Sequence, residues 1–528
     1  MIKRILVSVS DKTGIVEFVK GLKEFNVEII STGGTAKSLR EAGIDVIDIS
    51  KVTGFPEMMD GRVKTLHPAI HGGLLALRKN KEHMDAAQKH SIIPIDMVVV
   101  NLYPFEKTIS KESCSIEEAI ENIDIGGPSM IRSASKNFES VIIIVNPARY
   151  KDVLEELKSN NGELSITKKR ELAVEAFMHT AEYDSVIYNY LYSKLLDGQD
   201  KFPNKLLLRF NKIQSLRYGE NPHQLAAFYS EVKINEPCIT NAKKLHGKEL
   251  SYNNIMDTDA AIELVKEFDL PAAVIIKHTN PCGTAISDTI ETAFIKAYNT
   301  DPLSAFGGIV ALNRPLSKEI AEFMKTKFLE VVVAPEFSKD AVEILTQKKD
   351  IRLLEINGLG KIRTSSNVLE LRKVTGGLLV QDKDVKDAKK EELKIVTKRT
   401  PSDKELDNLF FAWKVVKHVK SNAIVIAKDG VIFGVGAGQM NRVGSVKIAV
   451  ESAGEKIRGL SQTGTVPDGI VLASDAMFPK PDGVEEAGKA GITAIIQPGG
   501  SIQDTEVIAM ADKYNIAMVF TGTRHFKH

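Results

Sequence analysis

Cysteine is scarce in this chain. Cys114, Cys238 and Cys282 are the only three in 528 residues, and no two form a Cys-x-x-Cys pair. That excludes a disulfide framework and sets the expectation of a reducing, cytoplasmic setting. Excess charge is missing as well: the formal net charge is +1. No bulk attraction to nucleic acid or anionic membrane follows, so an anion must be bound by local clusters. No apolar run approaches the roughly 20 residues of a membrane span. The N-terminus carries Lys3-Arg4 and then few apolar residues before Asp11, too short for a signal-peptide core, and reads as a first strand. No Gly-x4-Gly-Lys-Ser/Thr string occurs, which argues against ATP-driven ligation. No His-x-Glu precedes a Cys-x-x-Cys, which argues against a zinc deaminase.

The chain is too long for one core, so two to four domains are expected. Its 43% hydrophobic and 26% charged residues are those of an ordinary soluble protein. The first block, residues 1–198, opens with two strand–turn–helix units. Ile5–Val9 is a strand, Ser10-Asp11-Lys12-Thr13-Gly14 a turn, and Ile15–Phe25 a helix. Val27–Ile30, Ser31-Thr32-Gly33-Gly34-Thr35 and Ala36–Ala42 repeat the unit. Such units imply parallel strands with right-handed crossovers and both turns on one sheet edge. Gly-Gly-Thr at a helix N-terminus suits a phosphate, although it is equally an ordinary turn. Lys12 on the neighbouring turn adds a countercharge. The segment Gly54–Pro68 is too broken by Gly and Pro for a regular element, yet carries Arg62 and Lys64. His67 and His71 could suggest a metal pair; Pro68 and the lack of a nearby third ligand argue against it. Met97–Val100 is a buried strand running into Asn101-Leu102-Tyr103. Asp124 stands before Gly126-Gly127, with Arg132 and Lys136 on the helix that follows. Val141–Val145 closes the sheet, residues 147–195 read as helical, and Asp197–Lys205 is the expected linker. Lys12, Arg62, Lys64, Tyr103, Asp124 and Lys136 at strand ends point to a nucleotide-sized anion with acid–base groups around it.

In the second block, residues 199–528, the apolar run Ala273–Ile276 ends in Lys277-His278, followed by a Thr-Asn-Pro-Cys-Gly turn. A fixed cation beside a group that titrates near neutrality serves proton transfer with oxyanion stabilisation. The same pair is also what a plain surface strand end carries. Arg217-Tyr218 offers a cation and a stacking ring, and Asn254 either caps a helix over Ile255–Phe268 or reads a ligand amide. Two echoes hint at duplication: Phe306–Leu312 resembles Pro467–Ala473, and Ala273–Lys277 resembles Ala423–Lys428. Residues 381–408, dense in Lys, Asp and Glu, read as a solvated face. Ser474–Pro479 adds strand-end polar groups, and the terminal Arg524-His525-Phe526 is either frayed or tucked into a site.

Ten strings in order, from Ser8–Gly14 through Gly61–Pro68, Phe177–Asp184, Arg217–Pro222 and Lys277–Gly283 to Arg524–Phe526, resemble one family. It is the bifunctional purine biosynthesis family that joins AICAR formyltransferase to IMP cyclohydrolase. The resemblance implies an α/β protein. Residues 1–198 would be a methylglyoxal-synthase-like Rossmann domain with the cyclohydrolase. Residues 199–528 would be two cytidine-deaminase-like units, without their zinc, carrying the formyltransferase. It also implies a homodimer with formyltransferase sites across the subunit interface, 10-formyltetrahydrofolate as cosubstrate, and no metal in the chemistry.

By resemblance His278 is the base for formyl transfer, while Lys277 and Asn422 steady the tetrahedral oxygen. Lys64 polarises the formyl group for ring closure, Tyr103 and Asp124 manage protons, and Lys136 assists. Substrate binding in the first block falls to Ser10, Lys12, Ser31, Thr32, Gly33, Gly34 and Thr35, with Arg62, Thr65, Asn101 and Gly126. In the second it falls to Arg217, Tyr218, Asn254, Phe306 and Gly307, with Phe478, Arg524 and Glu336, which stands where some members carry Asp. Two rival readings stay open: a formyltransferase with an inactive first block, and a non-catalytic nucleotide-sensing module.

Overall fold

The computed structural model describes residues 2–59, 62–196, 201–361, 368–461 and 469–528. Gly61 and the Asp197–Asp200 part of the expected linker lie outside the described residues. The chain forms two compact units, Met1–Arg209 and Phe210–His528.

The first unit runs β1 (Arg4–Val9), α1 (Ile15–Lys23), β2 (Glu28–Ser31), α2 (Gly33–Glu41), β3 (Ile47–Asp48), α3 (Ile49–Thr53), α4 (Pro68–Leu75) and α5 (Lys81–Lys89). It continues through β4 (Met97–Asn101), α6 (Phe105–Ile109), α7 (Ile116–Glu121), α8 (Gly126–Lys136), β5 (Ile142–Ile144), α9 (Tyr150–Ser159) and α10 (Ile166–Leu195). The strands form one parallel sheet in the order β3-β2-β1-β4-β5. Both faces are covered, so its strands read as continuous apolar runs. Ile5 and Val7 face a core with α1 and α9; Leu6, Val98 and Val100 face another with α4, α8 and α10. The helix expected over 147–195 is broken. Asn161 and Gly162 take left-handed φ values of 51° and 80°, and Ser165 then caps α10 by accepting the Lys168 N–H at 3.3 Å.

The second unit begins with β6 (Phe210–Leu216) and β7 (Ala226–Glu231), which pair as a separate ribbon. Then follow β8 (Lys243–His246), α11 (Tyr252–Val265), β9 (Ala272–Lys277), β10 (Asn280–Ile286), α12 (Ile290–Thr300), α13 (Pro302–Ala305), β11 (Gly308–Leu312), α14 (Lys318–Lys325), β12 (Leu329–Ala334), α15 (Lys339–Leu345) and β13 (Arg352–Glu355). A second ribbon, β14 (Leu369–Val374) with β15 (Gly377–Asp382), precedes β16 (Lys394–Ile395), α16 (Asp403–Val416), β17 (Ile424–Lys428) and β18 (Val431–Gly436). The chain ends with α17 (Arg442–Ser461), β19 (Val471–Ser474), α18 (Asp482–Lys489), β20 (Ala494–Gln497), α19 (Asp504–Lys513) and β21 (Ala517–Phe520).

Twelve of these strands make one sheet, β16-β21-β20-β19-β17-β18-β10-β9-β11-β12-β13-β8. The order reads the same outward from the β18–β10 junction in both directions: hairpin, then three parallel strands, then one antiparallel strand. The duplication hinted at by the two echoes is therefore real, with β9 answering to β17 and β11 to β19. One face is shared by α11 and α16 over a single core; the other carries a separate core for each copy.

Two expectations are corrected here. The Thr-Asn-Pro-Cys-Gly stretch is not a turn: the turn is only His278-Thr279, and Asn280 already pairs with Lys277 in β10. The charged stretch 381–408 is not simply solvated. Lys383 reaches Glu263 at 2.5 Å, and Glu405, fully buried, accepts from Arg399 at 2.8 Å.

Candidate functional site

In a parallel sheet, ligand groups gather beyond the carboxyl ends of the strands. In the first unit that edge carries a cleft of about 640 Å³ lined by the β1–α1 turn, the start of α2, Arg62, Lys64, Thr65, Asn101, Tyr103 and Asp124–Gly127. α2 starts at Gly33 with no side chain capping it, so its first N–H groups and dipole face the cleft. Two ammonium groups converge there. A Cβ on Gly33 would stand 3.7 Å from Lys64 Nζ, and one on Gly34 3.8 Å from Lys12 Nζ. Arg62 pairs with Glu121 through Nε at 3.3 Å.

Asp124 forms the opposite wall. Its Oδ1 accepts the Gly127 N–H at 2.8 Å, which starts α8. Burial pushes its carboxyl above the usual range, partly offset by the Gly127 and Tyr103 N–H groups and the charge of Lys64. The half-exposed Tyr103 lies at the end of β4 beside it.

Several expected ligand side chains are committed to the frame. Asn101 accepts the Ser10 and Asp11 N–H groups at 2.7 and 2.9 Å and donates to Asp11 C=O. Ser31 Oγ donates to Val7 C=O, and Thr35 Oγ1 to Val9 C=O. Thr32 Oγ1 lies 2.8 Å from Ser8 Oγ. Thr65 is buried against Gly126. Lys136 is exposed at the last turn of α8, about 15 Å along the helix from Gly126. His67 and His71 are occupied: His67 Nδ1 accepts the Ala69 N–H at the start of α4, and His71 Nδ1 lies 3.0 Å from Ser133 Oγ.

In the second unit, strand direction decides which ends meet. β9, β10, β18 and β17 alternate, so the C-terminal end of β9 and the N-terminal end of β17 share one sheet edge. Lys277 and His278 lie there at the end of β9 and Asn422 just before β17, with β10 and β18 between them. Lys277 is half-buried and donates Nζ to the carbonyls of Phe306 and Gly307 at 3.1 and 3.2 Å. His278 is exposed, with φ 52°. Asn422 follows a cis peptide bond from Ser421. Its Nδ2 donates to Gln439 C=O at 2.8 Å, and its Oδ1 accepts from Arg442 at 2.7 Å. It lines two cavities of about 590 and 320 Å³, the larger also walled by Arg442, Pro498, Arg524 and Phe526. Lys277 and His278 line neither.

Asn254 lies at the same edge, but Ser251 is the helix cap and Asn254 its reciprocal partner. Its Nδ2 donates to Glu330 at 2.7 Å. Arg217 and Tyr218 precede Glu220, whose carbonyl accepts from Asn253. The Phe478 ring is wholly buried in the core, so it is a packing residue rather than a ligand surface. Glu336 follows β12, which runs opposite to β9, and so sits at the other edge of the sheet. The tail is tucked in: His525 is buried and its N–H donates to Asp475 C=O at 3.0 Å.

Sequence reasoning missed Arg442, buried beside Asn422. Its guanidinium also meets Asp475 Oδ1 at 2.5 Å and Ser474 Oγ at 2.8 Å. The only signal was an Arg shortly after a Gly-rich turn. It also passed over Tyr183, named within a string but given no role. Among the described residues no helix is long and apolar enough to cross a membrane.

Comparison with known proteins bears on the family of the chain. A family model described as AICARFT/IMPCHase bienzyme matches residues 134–452, and one for an MGS-like domain matches residues 14–129. The chain is 57% identical over 527 residues to the bifunctional purine biosynthesis protein PurH of Bacillus subtilis (strain 168), covering 100% of both chains. It is 55% identical to that of Acetivibrio thermocellus and 57% to that of Bacillus cereus (strain B4264), again over 100% of each. The solved structure of ForH aligns with 35% of this chain and 95% of its own at 33% identity and a TM-score of 0.33, too slight a likeness to bear on the fold. With a family model across more than half its length and full-length relatives above half identity, the chain belongs to the AICARFT/IMPCHase bienzyme family.

Proposed function

We propose that the two activities of this family are divided between the units: formyl transfer to AICAR at the Lys277–His278–Asn422 edge, and closure of formyl-AICAR to IMP in the Lys12–Lys64–Asp124 cleft. The 5-amino group of AICAR is a poor nucleophile because its lone pair is delocalised into the ring and carboxamide. As it attacks the formyl carbon of 10-formyltetrahydrofolate, His278 takes its proton. Lys277 and the free N–H of Asn422 stabilise the tetrahedral oxygen. The same proton then serves the departing tetrahydrofolate nitrogen. Arg217 and Arg524 carry the substrate phosphate.

In the cleft, the α2 N-terminus, Lys12 and Arg62 hold the phosphate. The carboxamide nitrogen attacks the formyl carbon of the same molecule, so positioning supplies much of the rate. Lys64 polarises the formyl oxygen, which leaves as water, and Asp124 with Tyr103 carries the protons. Lys136 and Glu336 lie away from these sites in a single chain. In the homodimer we propose, a second copy of the chain brings them. The compartment proposed is the cytoplasm.

The observation that carries this reading is the convergence of Lys12 and Lys64 on the uncapped start of α2, opposite a carboxyl that burial makes easy to protonate. The test supplies AICAR and 10-formyltetrahydrofolate and follows tetrahydrofolate and IMP. Wild type makes both. His278→Ala loses formyl transfer and still closes supplied formyl-AICAR; loss of both activities in a folded variant would sink the division of labour.

A further inference from the structure

Two-residue type I′ loops between antiparallel strands take left-handed conformations at both positions and favour Asp-Gly or Asn-Gly. The second copy obeys: Asp429 (φ 49°) and Gly430 (φ 68°) join β17 to β18. The first copy places His278 (φ 52°) and Thr279 (φ 61°) at the same two positions. A β-branched residue is strained there. The Thr279 hydroxyl is also buried without a hydrogen-bond partner among the described residues. Strain of this kind persists only where the surroundings over-determine it, and it gathers at functional sites.

One side chain holds each turn. Asp257 on α11 accepts the Thr279 N–H on Oδ1 at 2.7 Å. At the equivalent place on α16, Asn408 accepts the Gly430 N–H on Oδ1 at 3.2 Å. The clamp is common to both copies, but only the first restrains a turn its residues would otherwise leave. Asn280 extends that restraint toward Asn422. Its Nδ2 donates to His278 C=O at 3.1 Å, and its Oδ1 accepts the Lys420 N–H at 3.0 Å.

We propose that Asp257 is a positioning residue for formyl transfer: by pinning the Thr279 N–H it holds the strained turn that presents His278 to the substrate. The inference rests on His278 being the base. Asp257 acts through the backbone, so what it supplies is an acceptor, and an amide suffices, as Asn408 shows.

The test uses the full-length protein and steady-state formyl transfer. Asp257→Leu removes the acceptor, and kcat falls about tenfold or more while KM for AICAR stays within about twofold, as misplacement of a reacting group predicts. Asp257→Asn keeps most of the rate. Asp257→Leu combined with Thr279→Gly recovers it, because glycine adopts this φ without a clamp. An unchanged Asp257→Leu rate overturns the proposal, as does an Asp257→Asn as slow as Asp257→Leu. Where Asp257→Leu does not fold, the double variant decides against wild type: recovery supports the proposal and loss overturns it. His278→Ala in parallel keeps the two ideas apart. A retained rate there removes His278 as base, whereas a lost rate with an unaffected Asp257→Leu removes only the clamp.

Discussion

Tyr183 and Asp124 are joined through the backbone. The phenol oxygen of Tyr183, on α10, accepts the N–H of Asp124 at 2.8 Å and sends its own proton to the Asn122 carbonyl at 3.3 Å. Burial pushes the phenol up to about 12, so it remains protonated and plays both parts at any working pH. The long helix thereby fixes the loop from which the carboxyl of Asp124 enters the cleft.

Tyr183→Phe leaves that N–H unpaired, at a local cost of about 1–3 kcal/mol. Ring closure is expected to slow by about tenfold, with formyl transfer untouched. Assaying the two half-reactions separately checks this; an equal fall in both would mean that the phenol serves the whole fold instead.

Asp124→Asn trades activity for stability. Burial raises the Asp124 carboxyl in the folded state, so the folded chain holds its proton to higher pH than the unfolded one. Stability is then lost as pH rises from the ordinary carboxylate range through the raised value, and it stays reduced above it. The amide carries no such penalty. The variant is expected to close no ring, to melt higher than wild type near pH 8, and to match it below about pH 3, where both are neutral. Calorimetry across that range decides, and a lower melting temperature at pH 8 would refute the sign.

Arg442→Ala strands Asp475, which is fully buried and meets the guanidinium at 2.5 Å. Breaking such a pair costs about 3–5 kcal/mol. Arg442→Lys keeps the charge but not the fork that reaches Asn422, Ser474 and Asp475 together. Denaturant unfolding is expected to rank wild type above Lys above Ala, with formyl transfer weakened in both variants. Full formyl transfer in a folded Arg442→Lys would show that Asn422 needs no such support.

Glu267, just after α11, ties that helix end to the residues just after α16, with Lys417 Nζ at 2.7 Å and His418 Nε2 at 2.9 Å from its Oε1. Burial alone would raise its carboxyl; the hydrogen bond from His418, whose own burial favours the neutral ring, and the hydrogen bond and charge of Lys417 overcome this and hold it at about 2. Its stabilisation is present above the ordinary range and is lost as pH falls from about 4.5 toward 2. Glu267→Gln is expected to cost about 3 kcal/mol at pH 7. The gap to wild type should close across that acid window, and a pH-independent gap in unfolding free energy would contradict it.

What could be read in advance follows from how local each signal is. The apolar runs of β1 and β4 and the Gly-Gly pair that opens α2 are contiguous, so the first cleft was legible with most of its walls. The echoes between β9 and β17 and between β11 and β19 were visible because a core strand tolerates few residue types. Arg442, Asp475 and Tyr183 were not legible as site residues. Their meaning lies in contacts spanning tens of residues, such as the 59 between Asp124 and Tyr183. The turn at His278 was misjudged because Asn280, Pro281 and Gly283 are turn formers by composition, while pairing with β9 makes them strand. Phe478 was misassigned for a similar reason: no local pattern separates a ring that stacks on a ligand from one that fills a core.

The twofold order of the large sheet also limits its growth. Each copy ends outward in an antiparallel strand, β16 of two residues on one side and β8 of four on the other. Brief edges offer few free backbone groups to an incoming chain. A sheet this wide would otherwise be a ready template for fibrous stacking. Its closing strands make the doubled array self-terminating, so a third repeat spliced onto either end would find almost nothing to pair with.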